Sequence, residues 1–192
     1  MSVDDHFSGS FSTPNTPFKN HFKIIRWHPP IPGRTKLNFD GSLQGASVAG
    51  GFILRDWRGA LLLAGASHYG NTSVAMAESR ALWEGIQAAL TAGYTSFDIE
   101  GDNALVIAAV KNDGGLPWRI TTVISDIRHL LLQAPSKTLT HVYREANLAA
   151  DWLSKFGHTS TGIWADIDFF NVDFRAIVND DRIGRSLVKR AA

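Results

Sequence analysis

The stretch KLNFDGS, residues 36–42, decides how the chain is read. Lys36, Asn38 and Asp40 alternate with Leu37, Phe39 and Gly41, the period-two pattern of a strand that buries one face. The run then reaches Gly41 and Ser42, residue types that favour a turn. Downstream, VAGGFILRDWRGALLLAGASHY (48–69) reads as two more strands joined around Asp56 and Gly59, so three strands form an antiparallel meander. SVAMAESRALWEGIQAALTAGY (73–94) follows, with Val74, Ala77, Ala81, Leu82, Ile86, Ala89 and Leu90 at helical spacing. Gly93 sits just past its end, where a capping glycine belongs.

FDIEGDN (97–103) is a short strand, and DNALVIAAVKN (102–112) and WRITTVISDIRHLLLQ (118–133) are helices. KTLTHVYRE (137–145) is a last strand, and NLAADWLSKFG (147–157) is a helix opening on Asn147. The order βββαβααβα predicts an α/β fold over residues 34–157. Its centre is a mixed five-stranded sheet, three antiparallel strands then two parallel ones, flanked by helices. Residues 1–33, rich in Ser, Pro, Asn and Thr and ending in HPPIPG, read as a flexible N-terminal arm. Residues 158–192 lack clean periodicity and read as a C-terminal tail, partly docked or flexible, with RIGRSLVKRAA as a solvated basic end.

At 192 residues, with 44% hydrophobic residues including six Trp and eleven Phe, the chain can fill one real core. A net charge of +1 excludes the overall basic excess of a strong non-specific nucleic-acid binder, so any nucleic-acid contact is local. The absence of cysteine excludes disulfide-linked partners, thiolate zinc sites and thiol nucleophiles, and leaves oxygen or imidazole for any metal. MSVDDHFSGS at the start has no apolar core of a secretion signal, and apolar runs such as 60–64 are too short to span a bilayer. An intracellular protein with no membrane partner is expected, in either nucleus or cytoplasm.

Four acids stand out. Asp40 ends the first strand, Glu78 lies inside the first helix, Asp102 follows the fourth strand, and Asp151 lies inside the last helix. The topology can set the ends of the first and fourth strands side by side, where ligand sites are favoured, and each acid falls where it could face one spot. Carboxylates brought together repel and raise one another's pKa unless cations neutralise them. Oxygen ligands suit Mg²⁺ or Mn²⁺, and two such ions about 4 Å apart can activate water and stabilise the leaving oxygen in phosphodiester cleavage. Plainer readings exist: Asp40 before Gly41 as a turn acid, and Asp102 as the N-cap of the following helix. Glu78 beside Ala77 and Ala81, and Asp151 between Ala150 and Trp152, interrupt apolar surroundings and need a partner.

KLNFDGS, GGFILRDWRGALLLAG, AESRALWEGIQAAL, IEGDNALVIAAV and HVYREANLAADWLSKFG occur in order across about two thirds of the chain. This series resembles the ribonuclease H-like family, most closely the plant retroelement-derived domains found beside reverse transcriptases or alone. The resemblance implies a ribonuclease H-like fold in which Asp40, Glu78, Asp102 and Asp151 bind two Mg²⁺ ions, with Mn²⁺ as a possible substitute. It implies an endoribonuclease that cuts the RNA strand of RNA/DNA hybrids. Well-studied members carry a longer loop with a His before the last helix; here THVYRE runs almost directly into ANLAAD. His141 sits inside the expected strand and reads as a sheet-surface histidine. KNDGGLPW (111–118) is short and nearly neutral where some members carry a basic, Trp-bearing protrusion. These departures keep open a second reading, a retroelement-derived nucleic-acid-binding module with little or no nuclease activity.

Around the acids, Ser42 and Asn103 could contact the RNA strand by reading its 2′-hydroxyls, or serve as turn and cap residues. Asn147 is expected to cap the last helix and so orient Asp151, and Arg144 to touch a phosphate or pair with Glu145 or Glu100. Trp83 and Trp152 read as core, Trp27 and Trp57 lie near loops, and Glu84 reads as solvated.

Overall fold

Period-two and helical hydrophobic patterns resolve, in the computed structural model, into the expected order of elements within 34–157, and the described residues, 22–113, 115 and 118–190, add elements in the expected arm and tail. The first 21 residues of the expected arm lie outside them. In chain order the strands and helices are β1 (Phe22–Ile25), β2 (Thr35–Gln44), β3 (Ser47–Arg55), β4 (Leu61–Gly70), α1 (Val74–Thr91), β5 (Ser96–Gly101) and α2 (Ala104–Lys111). They continue with α3 (Thr121–Leu130), β6 (Ser136–His141), α4 (Leu148–Phe156), β7 (Gly162–Trp164), α5 (Val172–Arg182) and β8 (Leu187–Arg190). The main sheet runs β6-β5-β2-β3-β4-β7. Strands β2, β3 and β4 form the antiparallel meander, and β5 and β6 run parallel to β2.

The sheet has six strands rather than five. The sixth, β7, pairs Ala64 with Trp164 and Ala66 with Gly162 along the free edge of β4. Three residues are too few to show periodicity, so this strand is set by the edge it completes. Nor does β2 turn at Gly41: it runs on to Gln44, and the hairpin turns around Gly45, whose φ of +61° suits glycine. Gly41 serves close packing instead. A Cβ there would lie 2.7 Å from Glu78 Cγ and 2.8 Å from its backbone N, so only glycine lets α1 cross β2 at this point.

Alternation along the strands divides the core in two. Leu37, Phe39, Phe52, Leu54, Phe97 and Ile99 meet Leu82 and Ile86 of α1 and Ile124 and Ile127 of α3 on one face. Each such buried side chain contributes about 2 kcal/mol before entropy is counted. On the other face Ile53 and Ala64 meet Ala149, Leu153, Phe174 and Val178. Trp152 stacks on Phe156 and packs against Phe174, with ring centroids 5.0 and 4.8 Å apart.

The flanking segments close over this second face. β1 pairs antiparallel with β8, Ile25 opposite Leu187. Trp27, close to the prolines, is a core residue: its Nε1 donates to Asn38 Oδ1 at 3.0 Å. The buried Arg55 guanidinium stacks 3.7 Å from the Trp27 ring and donates to Asn38 Oδ1 at 3.0 Å and to Asp181 Oδ2 of α5 at 2.6 Å. Trp83 packs against the first core, whereas Trp57 is exposed. Among the described residues no helix is long and apolar enough to cross a membrane.

Candidate active site

Strand register brings the acids together. Phe39 of β2 lies opposite Gly101 of β5, so Asp40 and Asp102, one residue further on, are neighbours where β5 ends beside the middle of β2. α1, seated on Gly41, delivers Glu78. α4 lies against Gly51, where a Cβ would meet the backbone of Leu153 and Ser154, and this delivers Asp151. Asp40, Glu78, Asp102 and Asp151 thus line one open cavity of about 860 Å³, with Ser42, Asn103, His141, Arg144, Lys155 and His158.

The plainer readings of two acids fail here. Asp40 sits within β2, not in a turn. Asp102 does not cap α2: Asn103 does, its Oδ1 accepting from Leu105 N at 2.9 Å and Val106 N at 3.3 Å, which leaves the Asp102 carboxylate to the cavity.

At Asp40 and Glu78 the electrostatics are those of acids lacking a counter-charge. Burial first, then the charge of Asp102, pushes Asp40 up to about 7, against the lowering effect of a Ser154 hydrogen bond. Burial pushes Glu78 up to about 8, opposed by a hydrogen bond from Asn103 and reinforced by Asp40. Glu78 Oε2 is buried with no hydrogen-bond partner. Ser154 Oγ lies 2.8 Å from both Asp40 Oδ2 and the Asp151 carbonyl oxygen. Asp151 is paired with Arg144, and Lys155 Nζ lies 2.6 Å from its Oδ2.

Among the described residues no three carboxylate, imidazole or thiol groups form a ready ligand cage, and Asp151 in particular is held by two cations. The donor set nevertheless fits a hard divalent cation. Two carboxyls whose ionisation is suppressed by burial and by neighbouring carboxylates, with one orphaned oxygen, are the groups a cation would satisfy.

Other expectations resolve differently. Asn147 occupies the N-cap position of α4 but makes no side-chain cap bond; its Nδ2 donates to the Phe39 carbonyl oxygen at 2.9 Å, tying α4 to β2 beside Asp40. Arg144 pairs with Asp151, and Glu100 is engaged by Lys36. His141 ends β6 on the cavity wall, its Nε2 3.1 Å from the Asp102 carbonyl oxygen, rather than lying on a plain sheet surface. Glu84 is half-buried and accepts from Ser67 Oγ at 2.8 Å. Ser42 lines the cavity, 3.0 Å from His158 Nε2.

Ser154, Lys155 and His158 went unread in the sequence. The first two stand three and four residues past Asp151, the spacing that shares a helix face, so the signal was present. His158 carried none, because only the crossing of α4 over β3 brings it to Ser42. Trp118, 80% exposed beside Arg119, borders a second hollow with Asn71, Ser73 and Met76. Of the short segment before it, residues 114, 116 and 117 lie outside the described residues.

Residues 38–157 match the sequence model of the reverse transcriptase-like family. A protein of Arabidopsis thaliana named as a candidate ribonuclease H is 23% identical over 170 residues, which is 88% of this chain. The chain spans only 27% of that relative's length. Among solved structures, RNase H1 of the halophilic archaeon Halobacterium salinarum superposes with a TM-score of 0.62 at 26% identity, over 66% of this chain and 98% of that one. LC11-RNase H1 in complex with an RNA/DNA hybrid shares the fold, with a TM-score of 0.59 at 19% identity over 64% of this chain and 94% of that one.

Proposed function

We propose that this chain, which belongs to the reverse transcriptase-like family, is a divalent-metal-dependent endoribonuclease that hydrolyses the RNA strand of RNA/DNA hybrids. The observation that carries the reading is the convergence of Asp40, Glu78, Asp102 and Asp151, from four separate elements, on one cavity. Asp40 and Glu78 resist ionisation there without a cation. The four acids would hold Mg²⁺, or Mn²⁺ in its place. Divalent cations bound there supply acidification of the attacking water and charge compensation at the phosphate.

The chain's own groups do the rest. Ser154 and Asn147 fix Asp40 and the β2 backbone against α4, so the acids keep their relative positions. Arg144 and Lys155, exposed at their tips beside Asp151, would each be within the cavity to meet a substrate phosphate. Ser42 and Asn103 face the cavity where a ribose 2′-hydroxyl can be read. The exposed Trp118 and Arg119 offer a stacking and phosphate-contact surface beyond the acids.

The test is cleavage of a labelled RNA/DNA hybrid with Mg²⁺ and then Mn²⁺, beside the Asp102→Asn variant. Single- and double-stranded RNA serve as controls. A second reading, a nucleic-acid-binding module with little or no cleavage, is favoured by one observation: Arg144 and Lys155 together already neutralise Asp151. It predicts salt-sensitive hybrid binding with no product at any metal concentration.

A further inference from the structure

A chain of four side chains leaves the cavity wall on the α4 side. Ser42 Oγ lies 3.0 Å from His158 Nε2; His158 Nδ1 lies 3.5 Å from Ser47 Oγ; and Ser47 Oγ lies 2.6 Å from His68 Nε2. The two imidazole rings meet edge to face, 6.2 Å between centroids. Ser42, two residues beyond Asp40 on β2, shares its face of the sheet. His158 is set by the close packing of Gly157, where a Cβ would lie 3.0 Å from the Gly50 carbonyl oxygen and 3.1 Å from that of Ser67.

One choice of proton at the far end sets the direction of the whole chain. With the Ser47 proton given to His68 Nε2 across the short 2.6 Å contact, the polarity of the other links follows. Ser47 then has only lone pairs for His158, and Nδ1 of His158 carries the proton on that side. A neutral imidazole has one donor and one acceptor nitrogen, so His158 Nε2 accepts from the Ser42 hydroxyl. Burial, and then the neighbouring His68, hold His158 below the ordinary imidazole range, which favours the neutral ring. In that arrangement Ser42 turns its proton away from the cavity and its lone pairs towards it.

We infer that His158 is a positioning residue which, through this chain, fixes Ser42 as a hydrogen-bond acceptor for a ribose 2′-hydroxyl, and so contributes to choosing RNA over DNA beside the acids. The inference rests on the hybrid-nuclease reading and deepens it. A ribose offers a hydroxyl proton at the position where deoxyribose offers only C–H, and an acceptor of fixed polarity distinguishes the two.

Two measurements on the full chain test it. Nitrogen-15 histidine NMR should find His158 protonated at Nδ1 and bare at Nε2, with the Nε2 resonance moving in Ser42→Ala; the opposite tautomer overturns the inference. The second compares affinity for an RNA/DNA hybrid and for a DNA duplex of the same sequence, in an Asp102→Asn background with Mg²⁺ to prevent cleavage. His158→Ala should reduce the preference for the hybrid about fivefold, as expected for one lost hydrogen bond. His158→Gln, which keeps an acceptor, should restore most of it, and Ser42→Ala combined with His158→Ala should lose no more than either alone. A parent protein that prefers the hybrid, with His158→Ala unchanged or the double variant additive, overturns the inference alone. A parent protein with no preference overturns the hybrid-nuclease reading, and the inference with it.

Discussion

Asp40 on β2 lies directly opposite Gly51 on β3, and the missing side chain at Gly51 is what allows α4 to rest on the sheet with Ser154 Oγ 2.8 Å from Asp40 Oδ2. One glycine thus joins the packing of the second core to the geometry of the acids.

Gly51→Ala should separate that pair. Its methyl meets the backbone of Leu153 and Ser154, which cannot swing aside as a flexible side-chain end would. An overpacking loss of about 1–3 kcal/mol is expected in chemical denaturation, together with reduced cleavage. Full stability in this variant would show that α4 does not rest on Gly51.

The raised acids predict a pH dependence that metal removes. Asp40 and Glu78 bind their protons more tightly in the fold than in the unfolded chain, their folded values lying at about 7 and about 8 against 3.8 and 4.5. Their contribution to stability is therefore fully present below about pH 4 and is lost as pH rises through about 7 and 8. In chelator, Tm should fall between pH 5 and pH 8, and Mg²⁺ should raise Tm most at the alkaline end. A melting temperature indifferent to Mg²⁺ at pH 8 would contradict the metal assignment.

Residues 22–33 and the α5 segment are predicted to be part of the folding unit. Asp181→Ala leaves the fully buried Arg55 guanidinium without its carboxylate and should cost about 3–5 kcal/mol. Denaturation midpoints would report it, and a change under 1 kcal/mol would mean α5 is dispensable to the fold.

Arg144→Ala and Lys155→Ala each remove an exposed cation paired with Asp151. Each should weaken hybrid binding and lower the slope of affinity against salt by about one counterion. Stability should change little, as for other exposed ion pairs. Unchanged salt slopes would remove both residues from the substrate surface.

How much of this was legible in the sequence depended on the range of the forces involved. KLNFDGS and the helix around Glu78 announce themselves by local periodicity, and the order of elements is enough to place Asp40 beside Asp102. Long-range pairings left no such trace. Trp27 is core because Asn38 and Arg55 meet it across the fold, and β7 exists because β4 has a free edge. Asn103, not Asp102, caps α2, a choice one residue wide that changes an acid from a structural to a cavity-facing one. His158 reaches Ser42 from 116 residues away, through a crossing that no local pattern encodes.

We propose that the four converging acids make a metal-dependent hybrid nuclease. It is tested most directly by cleavage of a labelled RNA/DNA hybrid in Mg²⁺ by the purified chain and by Asp102→Asn, with folding of both verified by circular dichroism. The parent chain should cut the RNA strand only with metal, and the variant should lose at least a hundredfold, about what removal of a directly participating group costs. Intact hybrid with the folded parent chain at every metal concentration, or equal cutting by the variant, would contradict it.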